Sequence, residues 1–413
     1  MADCYTRTTC RLCGSEALTQ VMDFGEMALA GAFLTPAEFA SERRFPLRVS
    51  FCQECYLLQV IDVVAADVLF SRYFYHSSAI GTLREHFDAL AAEVSERWTP
   101  EPRGRVVVEI GSNDGVLLKP LTDRGLNALG VEAAANLAES ARGRGLQVKN
   151  AFFSRRVAAE VRAEHGPAAV VLANNVFAHL DEMEDIVGGI ADLLDDEGVF
   201  ITENHYLGSV IDEWQYDMIY HEHMSYYSLL PLERFFARFG LVVTDVRRIP
   251  IHAGSMRFYV RRAGHPVSAA VDALRAEERA KGYDRAETFA AYADAVAARK
   301  RELVALLESL AARGEAVVGY GASGRANTVI QYCGIDHRLM QYVIDDAPAK
   351  QGFYTPGSHF LIRPSSTLAE PDRPGYLLLF AWAFADEVRR RNPDYFSAGG
   401  RMIVPLPTVR VLD

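Results

Sequence analysis

The sequence predicts an α/β chain of three parts: a small β-rich module carrying cysteines, followed by two doubly wound, Rossmann-like units. Three observations predict it. Two Cys-x-x-Cys pairs fall within the first 70 residues. From residue 105, strand-like and helix-like patterns alternate, which is the signature of a parallel sheet flanked by helices. A second alternation opens at residue 316 on a glycine-rich turn. A chain of 413 residues is also too long for one ordinary core.

The elements follow in order. Residues 1–70 contain turn signals and two apolar alternating runs, LRVSF and LLQVIDV, and read as the cysteine module. Residues 71–262 form the first Rossmann-like domain, led by a helix over 78–98 with Leu83, Phe87, Leu90 and Val94 on one face. TPEPRG is a turn-rich linker. VVVEIG, ALGVEA, AAVVLANNVF and GVFITENHY are its buried strands, and PLERFFARFG is a helix with Pro near its start and Gly at its end. LVVTDVRRIP and MRFYVRRAG close this domain as antiparallel strands. Residues 263–313, rich in Ala, Glu and Arg, form a helical connector, and residues 314–413 the C-terminal Rossmann-like domain.

Half of the residues are hydrophobic and 23% charged, as in a folded globular protein. The formal net charge of -11 gives no electrostatic footprint for nucleic acid or an anionic membrane. No apolar run approaches the length of a membrane span, and the first residues carry no apolar signal-peptide core. A cytoplasmic, monomeric protein is the expectation, and in that compartment cysteines are thiols or metal ligands.

Cys10, Cys13, Cys52 and Cys55 supply two knuckle-type pairs, and four thiolates complete a closed tetrahedral site for a structural zinc ion. Redox-active or merely buried cysteines are the alternative. Cys4 and Cys333 lack such partners.

The strand VVVEIG runs into Gly111-Ser-Asn-Asp-Gly115 and then a helix. A dinucleotide loop normally has glycine where the pyrophosphate touches, and here that place holds Asn113. S-adenosylmethionine (SAM) has no phosphate and needs only a close backbone, which makes this a class I SAM-methyltransferase Rossmann-like domain. Glu109 faces the cationic amino group of SAM. Glu132, at the next strand end, accepts the ribose hydroxyls. Asn150, Phe152 and Phe153 lie along the adenine, one of the two phenylalanines packing in the core, and Asn174 ends the fourth strand. As a bland reading, Glu132 is a solvated strand-end acid and Asn174 a turn residue.

His, Tyr and Glu cluster in Phe177-Ala-His179, in Glu203-Asn204-His205-Tyr206, in Tyr220-His-Glu-His223 with Ser225-Tyr226-Tyr227, and in Tyr73-Phe-Tyr75-His76. Three of these clusters follow strand C-terminal ends, where open α/β sheets bind ligands. Methyl transfer to carbon needs a carbanion, hence a base of near-neutral pKa and donors for an enolate oxygen. The surplus of such groups favours carbon over oxygen or nitrogen. A structural histidine at 179, a metal pair at His221 and His223, and packing roles for Tyr226 and Tyr227 are the competing readings.

EIGSNDG, NNVFAHLDE, YHEHMSYYSL and GYGASGRANT, with the cysteine pairs, together resemble the sugar C-methyltransferases that act on nucleotide-linked keto-deoxysugars in antibiotic biosynthesis. The resemblance spans essentially the whole chain. It implies C-3 methylation of a dTDP-linked 4-keto-deoxysugar, the nucleotide sugar lying between the SAM domain and the C-terminal domain. His223 is then the base that removes the C-3 proton. Tyr220, Glu222, His179 and Tyr75 orient the sugar or hold the enolate, with Glu203, Asn204 and His205 beside the substrate.

Gly319-Tyr-Gly321-Ala-Ser323-Gly324 is a true G-x-G-x-x-G after a strand, with Asp345 ending the next strand. By itself it suggests NAD and an oxidoreductase. Beside the resemblance it is a non-catalytic relative whose Ser323 and Arg325 face the dTDP phosphates, or a loop whose glycines serve only close packing.

Overall fold

The computed structural model of the protein describes residues 3–69, 81–99 and 104–413. Tyr73, Tyr75 and His76 lie outside the described residues, as does the start of the leading helix.

In the N-terminal module the alternation of LRVSF puts Leu47, Val49 and Phe51 on one buried face. Strands Leu18–Ala28, Arg44–Cys52 and Leu58–Val60 pair antiparallel. A fourth strand comes from far along the chain: Ser225–Tyr226 pairs with Leu58–Val60. The Tyr220–Leu229 segment is thereby stitched to the cysteine module, which its local pattern does not announce.

The leading helix covers Gly81–Glu93 and runs into a wider turn, Val94–Trp98. Leu83, Phe87, Leu90 and Val94 are buried together, as their spacing predicts. The large sheet has seven strands in the order Leu241–Ile249, Ser255–Arg262, Leu194–His205, Ala168–Asn174, Val107–Ile110, Ala128–Glu132, Val148–Asn150. Ser255–Arg262 alone runs antiparallel to its neighbours. Strand order reverses between Val107–Ile110 and Ala168–Asn174. Residues 111–115 and Asn174 lie at that switch point, the place where open α/β sheets bind ligands.

Helices Ala269–Ala280 and Ala286–Ala312 follow. Phe289, Tyr292, Val296, Leu303, Leu307 and Leu310 form the buried stripe of the long helix. Glu278, fully buried, caps helix Leu229–Ala237 by accepting the amides of Leu229 and Leu230 at 2.8 and 3.0 Å. The last sheet has six strands, with a switch point between Val317–Tyr320 and Tyr376–Leu379. Among the described residues no helix is long and apolar enough to cross a membrane.

Candidate active site and zinc centre

The zinc centre is built by two matching knuckles. The Gly14 amide returns to the Cys10 carbonyl and the Tyr56 amide to the Cys52 carbonyl, both at 2.9 Å. Gly14 and Tyr56 both have φ of 73°, which turns the chain back after the second cysteine of each pair. The Sγ atoms of Cys10 and Cys55 stand 3.4 Å apart and those of Cys13 and Cys52 3.6 Å, with all four sulfurs within 4.8 Å. Tetrahedral Zn–S bonds of about 2.3 Å place sulfurs roughly 3.8 Å apart, so the four thiolates fit the ion. Arg234 and Arg238 donate to the Glu54 and Leu12 carbonyls and pin both knuckles to helix Leu229–Ala237.

At the switch point, Gly111 has φ of 66° and a Cβ there would stand 2.4 Å from Val176. Asn113 takes φ of 49°, a left-handed conformation that asparagine tolerates. Glu132 accepts the Asn113 and Ala134 amides, each at 2.8 Å, and so ties the glycine loop to the second strand. Glu109 is 4% exposed, and its Oε2 has no hydrogen-bond partner among the described residues. Burial, then the carboxylates of Glu132 and Asp114, push its carboxyl well above the usual range. Neither amide atom of buried Asn174 has a partner among the described residues. Stranded buried polar atoms carry a desolvation cost that a polar, cationic ligand removes. The site thus fits SAM by its donor set.

One adenine-side assignment changes, and the phenylalanine pair is resolved. The Asn150 amide donates to the carbonyls of Glu132 and Ala133 at 2.8 and 3.0 Å and braces the strand end. Phe152 is 62% exposed while Phe153 is in the core, so Phe152 alone is available to a purine.

The segments carrying His179 and Tyr220–His223 converge on each other. His223 Nδ1 lies 2.8 Å from the Met218 carbonyl, and Nε2 lies 2.8 Å from the Tyr220 hydroxyl. A carbonyl only accepts, so Nδ1 carries the proton, and the Nε2 lone pair accepts the phenol O–H. Burial, then the nearby His179, holds the His223 pKa well below 6.5, and so does His252. The ring of His179 stands 5.0 Å from that of His223, edge to face. Burial lowers His179 to about 4, with the Glu222 and Asn175 carbonyls against its ring. Glu222 is pushed up to about 7 by burial. His205 is lowered to about 3 by burial and then by Arg325.

Several other residues of these motifs make bonds within the protein. His221 Nε2 is 3.1 Å from the Pro46 carbonyl, which holds its ring against the cysteine module. The Tyr227 hydroxyl donates to the Phe177 carbonyl inside the core. Glu203, expected beside the substrate, is fully buried between His86 at 2.8 Å and Arg257 at 2.8 Å. Its carboxylate anchors the leading helix to the sheet. The Asn204 amide donates to Thr202 Oγ1 at 2.7 Å.

The chain matches three family descriptions in succession: a zinc binding domain of methyltransferases at residues 10–70, a methyltransferase domain at 83–246 and a C-methyltransferase C-terminal domain at 250–407. It is 35% identical over 406 residues to the C-methyltransferase NovU of Streptomyces niveus, covering 98% of this chain and 96% of that one. The chain belongs to this C-methyltransferase family. It is a SAM-dependent C-methyltransferase with a zinc module in front. Among solved structures it is similar to the magnesium protoporphyrin IX methyltransferase of Synechocystis PCC 6803 with bound S-adenosylhomocysteine (SAH). That match has 15% identity and a TM-score of 0.34, over 44% of this chain and 83% of the other. It is also similar to the mitomycin 7-O-methyltransferase MmcR, at 20% identity and a TM-score of 0.35, over 48% of this chain and 57% of the other.

The C-terminal glycine loop of this family member is packed against protein atoms. A Cβ at Gly319 would stand 2.6 Å from Phe380, one at Gly321 3.2 Å from Ala381, and one at Gly324 3.4 Å from the Tyr220 ring. Asp345, the residue that suggested NAD, is paired with Lys350 at 3.1 Å, and Lys350 also donates to the Ala322 carbonyl at 2.7 Å. Ser323 caps its own helix through the Ala326 amide. Arg325 pairs with Asp217 at 2.7 Å rather than reaching toward a phosphate. The glycines therefore serve close packing. His86, Asp217, His252, Arg257 and Trp382 carry no motif in the sequence, because each gains its meaning from a partner distant along the chain.

Proposed function

We propose that the protein methylates C-3 of a dTDP-linked 4-keto-deoxysugar. The observation that carries this reading is the neutral imidazole of His223, oriented by the Met218 carbonyl, with its Nε2 lone pair held by the Tyr220 hydroxyl. A ketone's α-proton and its oxygen are neighbouring groups, and so are this base and this donor. On sugar binding, Tyr220 turns its hydroxyl from Nε2 to the C-4 oxygen, and the C-3 hydrogen takes its place. The C-3–H bond breaks, the proton goes to Nε2, and the electron pair is held as an enolate by the Tyr220 hydroxyl. SAM, when bound, supplies an electrophilic methyl group for the C-3 carbanion. Glu109, Glu132 and Asn174 would hold the cofactor with Phe152 on its adenine side, and Glu222, His179 and Tyr75 would orient the sugar, with His205 nearby. Zinc held by Cys10, Cys13, Cys52 and Cys55 is structural. Action as a cytoplasmic monomer belongs to the same reading, as do the boundaries 1–70, 71–262, 263–313 and 314–413.

The test follows deuterium uptake at the carbon beside the ketone, by mass spectrometry, with SAH present. Native protein should exchange the C-3 hydrogen, and His223→Asn should lower the rate at least ~100-fold, the scale of a general base. Because His223 titrates well below 6.5, exchange should stay level as pH falls through the ordinary imidazole range. No uptake above the protein-free control, with the sugar shown to bind, would remove the carbanion mechanism and leave transfer to oxygen or nitrogen.

A further inference from the structure

The Tyr220–His223 pair does not stand on its own domain alone. Asp217 begins the turn that ends at Tyr220, and it is 1% exposed. A carboxylate taken so far out of water must be paired. Its Oδ2 accepts the Arg325 Nε–H at 2.7 Å and the Trp382 indole N–H at 2.9 Å, and Arg325 Nη2 stands at ion-pair distance, 2.7 Å. The Arg325 guanidinium also lies over the Trp382 ring, 5.0 Å from its centroid, so the two partners hold each other in place. Both come from the C-terminal unit, more than a hundred residues along the chain.

The contacts continue residue by residue. Met218, next to Asp217, supplies the carbonyl that orients His223. Ile219 supplies the carbonyl that accepts the Thr328 hydroxyl at 3.1 Å. Tyr220 presents its ring to Gly324, where a Cβ would stand 3.4 Å away. Asp217, Ile219 and Tyr220 thus meet helix Gly324–Cys333 or the loop before it, and Met218, held between them, fixes the imidazole. The carboxylate beside the loop, Asp345, is paired within its own unit with Lys350.

We infer that Arg325 and Trp382 are positioning residues for the base: through Asp217 they hold the turn whose Met218 carbonyl sets the orientation of His223. The inference rests on the proposed role of His223, but its first readout does not. Nitrogen-15 NMR of histidine-labelled, zinc-loaded full-length protein with SAH reports which ring nitrogen of His223 carries the proton, with no turnover. Native protein should show protonated Nδ1. Arg325→Met should give averaged shifts, as the imidazole loses its fixed acceptor, and Arg325→Lys should restore much of the native signal.

In turnover, kcat of Arg325→Met should fall about 10- to 100-fold with KM within about threefold, as expected for a displaced reacting group. Native His223 shifts and native kcat in Arg325→Met overturn the inference. So does a raised KM with kcat unchanged, which would return Arg325 to substrate contact. If Arg325→Met fails to fold, Trp382→Phe removes one bond to Asp217 and keeps an aromatic ring. It should move the same signals in the same direction by less, and unchanged shifts there overturn the inference equally. Absence of C-3 exchange in native protein sinks the proposed reaction only, and leaves the nitrogen shifts to decide the positioning role.

Discussion

The two glycine loops of this chain share a strand–loop–helix pattern and differ in what they leave unpaired. Around Gly111–Gly115, Glu109 Oε2 and both amide atoms of Asn174 are buried without partners among the described residues. Around Gly319–Gly324, Asp345 is neutralised by Lys350, and the glycines face Phe380, Ala381 and Tyr220. At the first loop the strand-end polar groups stay unpaired; at the second the strand-end acid is paired, and the buried atoms without partners among the described residues, such as Asp217 Oδ1 and Asn327 Oδ1, lie on the turn and helix packed beside it. Glycine spacing therefore reports how tightly a backbone passes something, and the charges at the strand ends report whether that something is a ligand.

The comparison breaks first at the strand-end acids. Glu132→Ala removes the acceptor of the Asn113 and Ala134 amides and, on the proposed reading, a ribose contact. Lost buried hydrogen bonds of this kind cost about 1–3 kcal/mol each, so SAH should bind on the order of 100-fold more weakly by calorimetry. Asp345→Asn, at the matching place in the second loop, should leave SAH affinity within about twofold and create no NAD binding. A comparable loss from Asp345→Asn would erase the distinction.

Glu109 sharpens it. Its carboxyl is raised by burial and by neighbouring acids, so the cofactor-free protein keeps a proton there at pH values where an ordinary glutamate is ionised. The ligand's ammonium favours the carboxylate, and binding expels that proton. Affinity for SAH should then rise with pH, by up to about tenfold per unit, and level off once Glu109 is ionised in the free protein. Calorimetry in two buffers of different ionisation enthalpy measures the release; equal apparent enthalpies would contradict it.

The smallest effect tests the packing loop. Gly321 has φ of 98°, and a methyl group there meets Ala381 at 3.2 Å. Gly321→Ala should cost on the order of 1–2 kcal/mol, seen as a Tm lower by a few degrees, with SAH affinity unchanged. A change in SAH affinity without a change in Tm would assign this loop to the ligand.

Cys10, Cys13, Cys52 and Cys55 were legible because a knuckle is a three-residue event, set by local turn geometry and thiolate chemistry. The seven-stranded sheet was legible from hydrophobic period, and the first glycine loop from a single asparagine where a phosphate site has glycine. The same sequence could not say that Glu203 is spent on His86 and Arg257, or that Asn150 braces a strand end. Arg325 looked free to meet a phosphate until Asp217, 108 residues earlier, was placed against it. Ser225–Tyr226 gave no strand signal, because a two-residue strand exists only once Leu58–Val60 lies beside it. By itself, then, the sequence determined which groups are present: the thiolates, the glycine loop of a SAM domain, and histidines with neighbouring tyrosines. Tertiary structure alone decided which charged and polar groups remain available. The physical reason is that a buried charge must find a partner, and the partner is chosen by whatever folding brings within 3 Å, not by the neighbours it has along the chain.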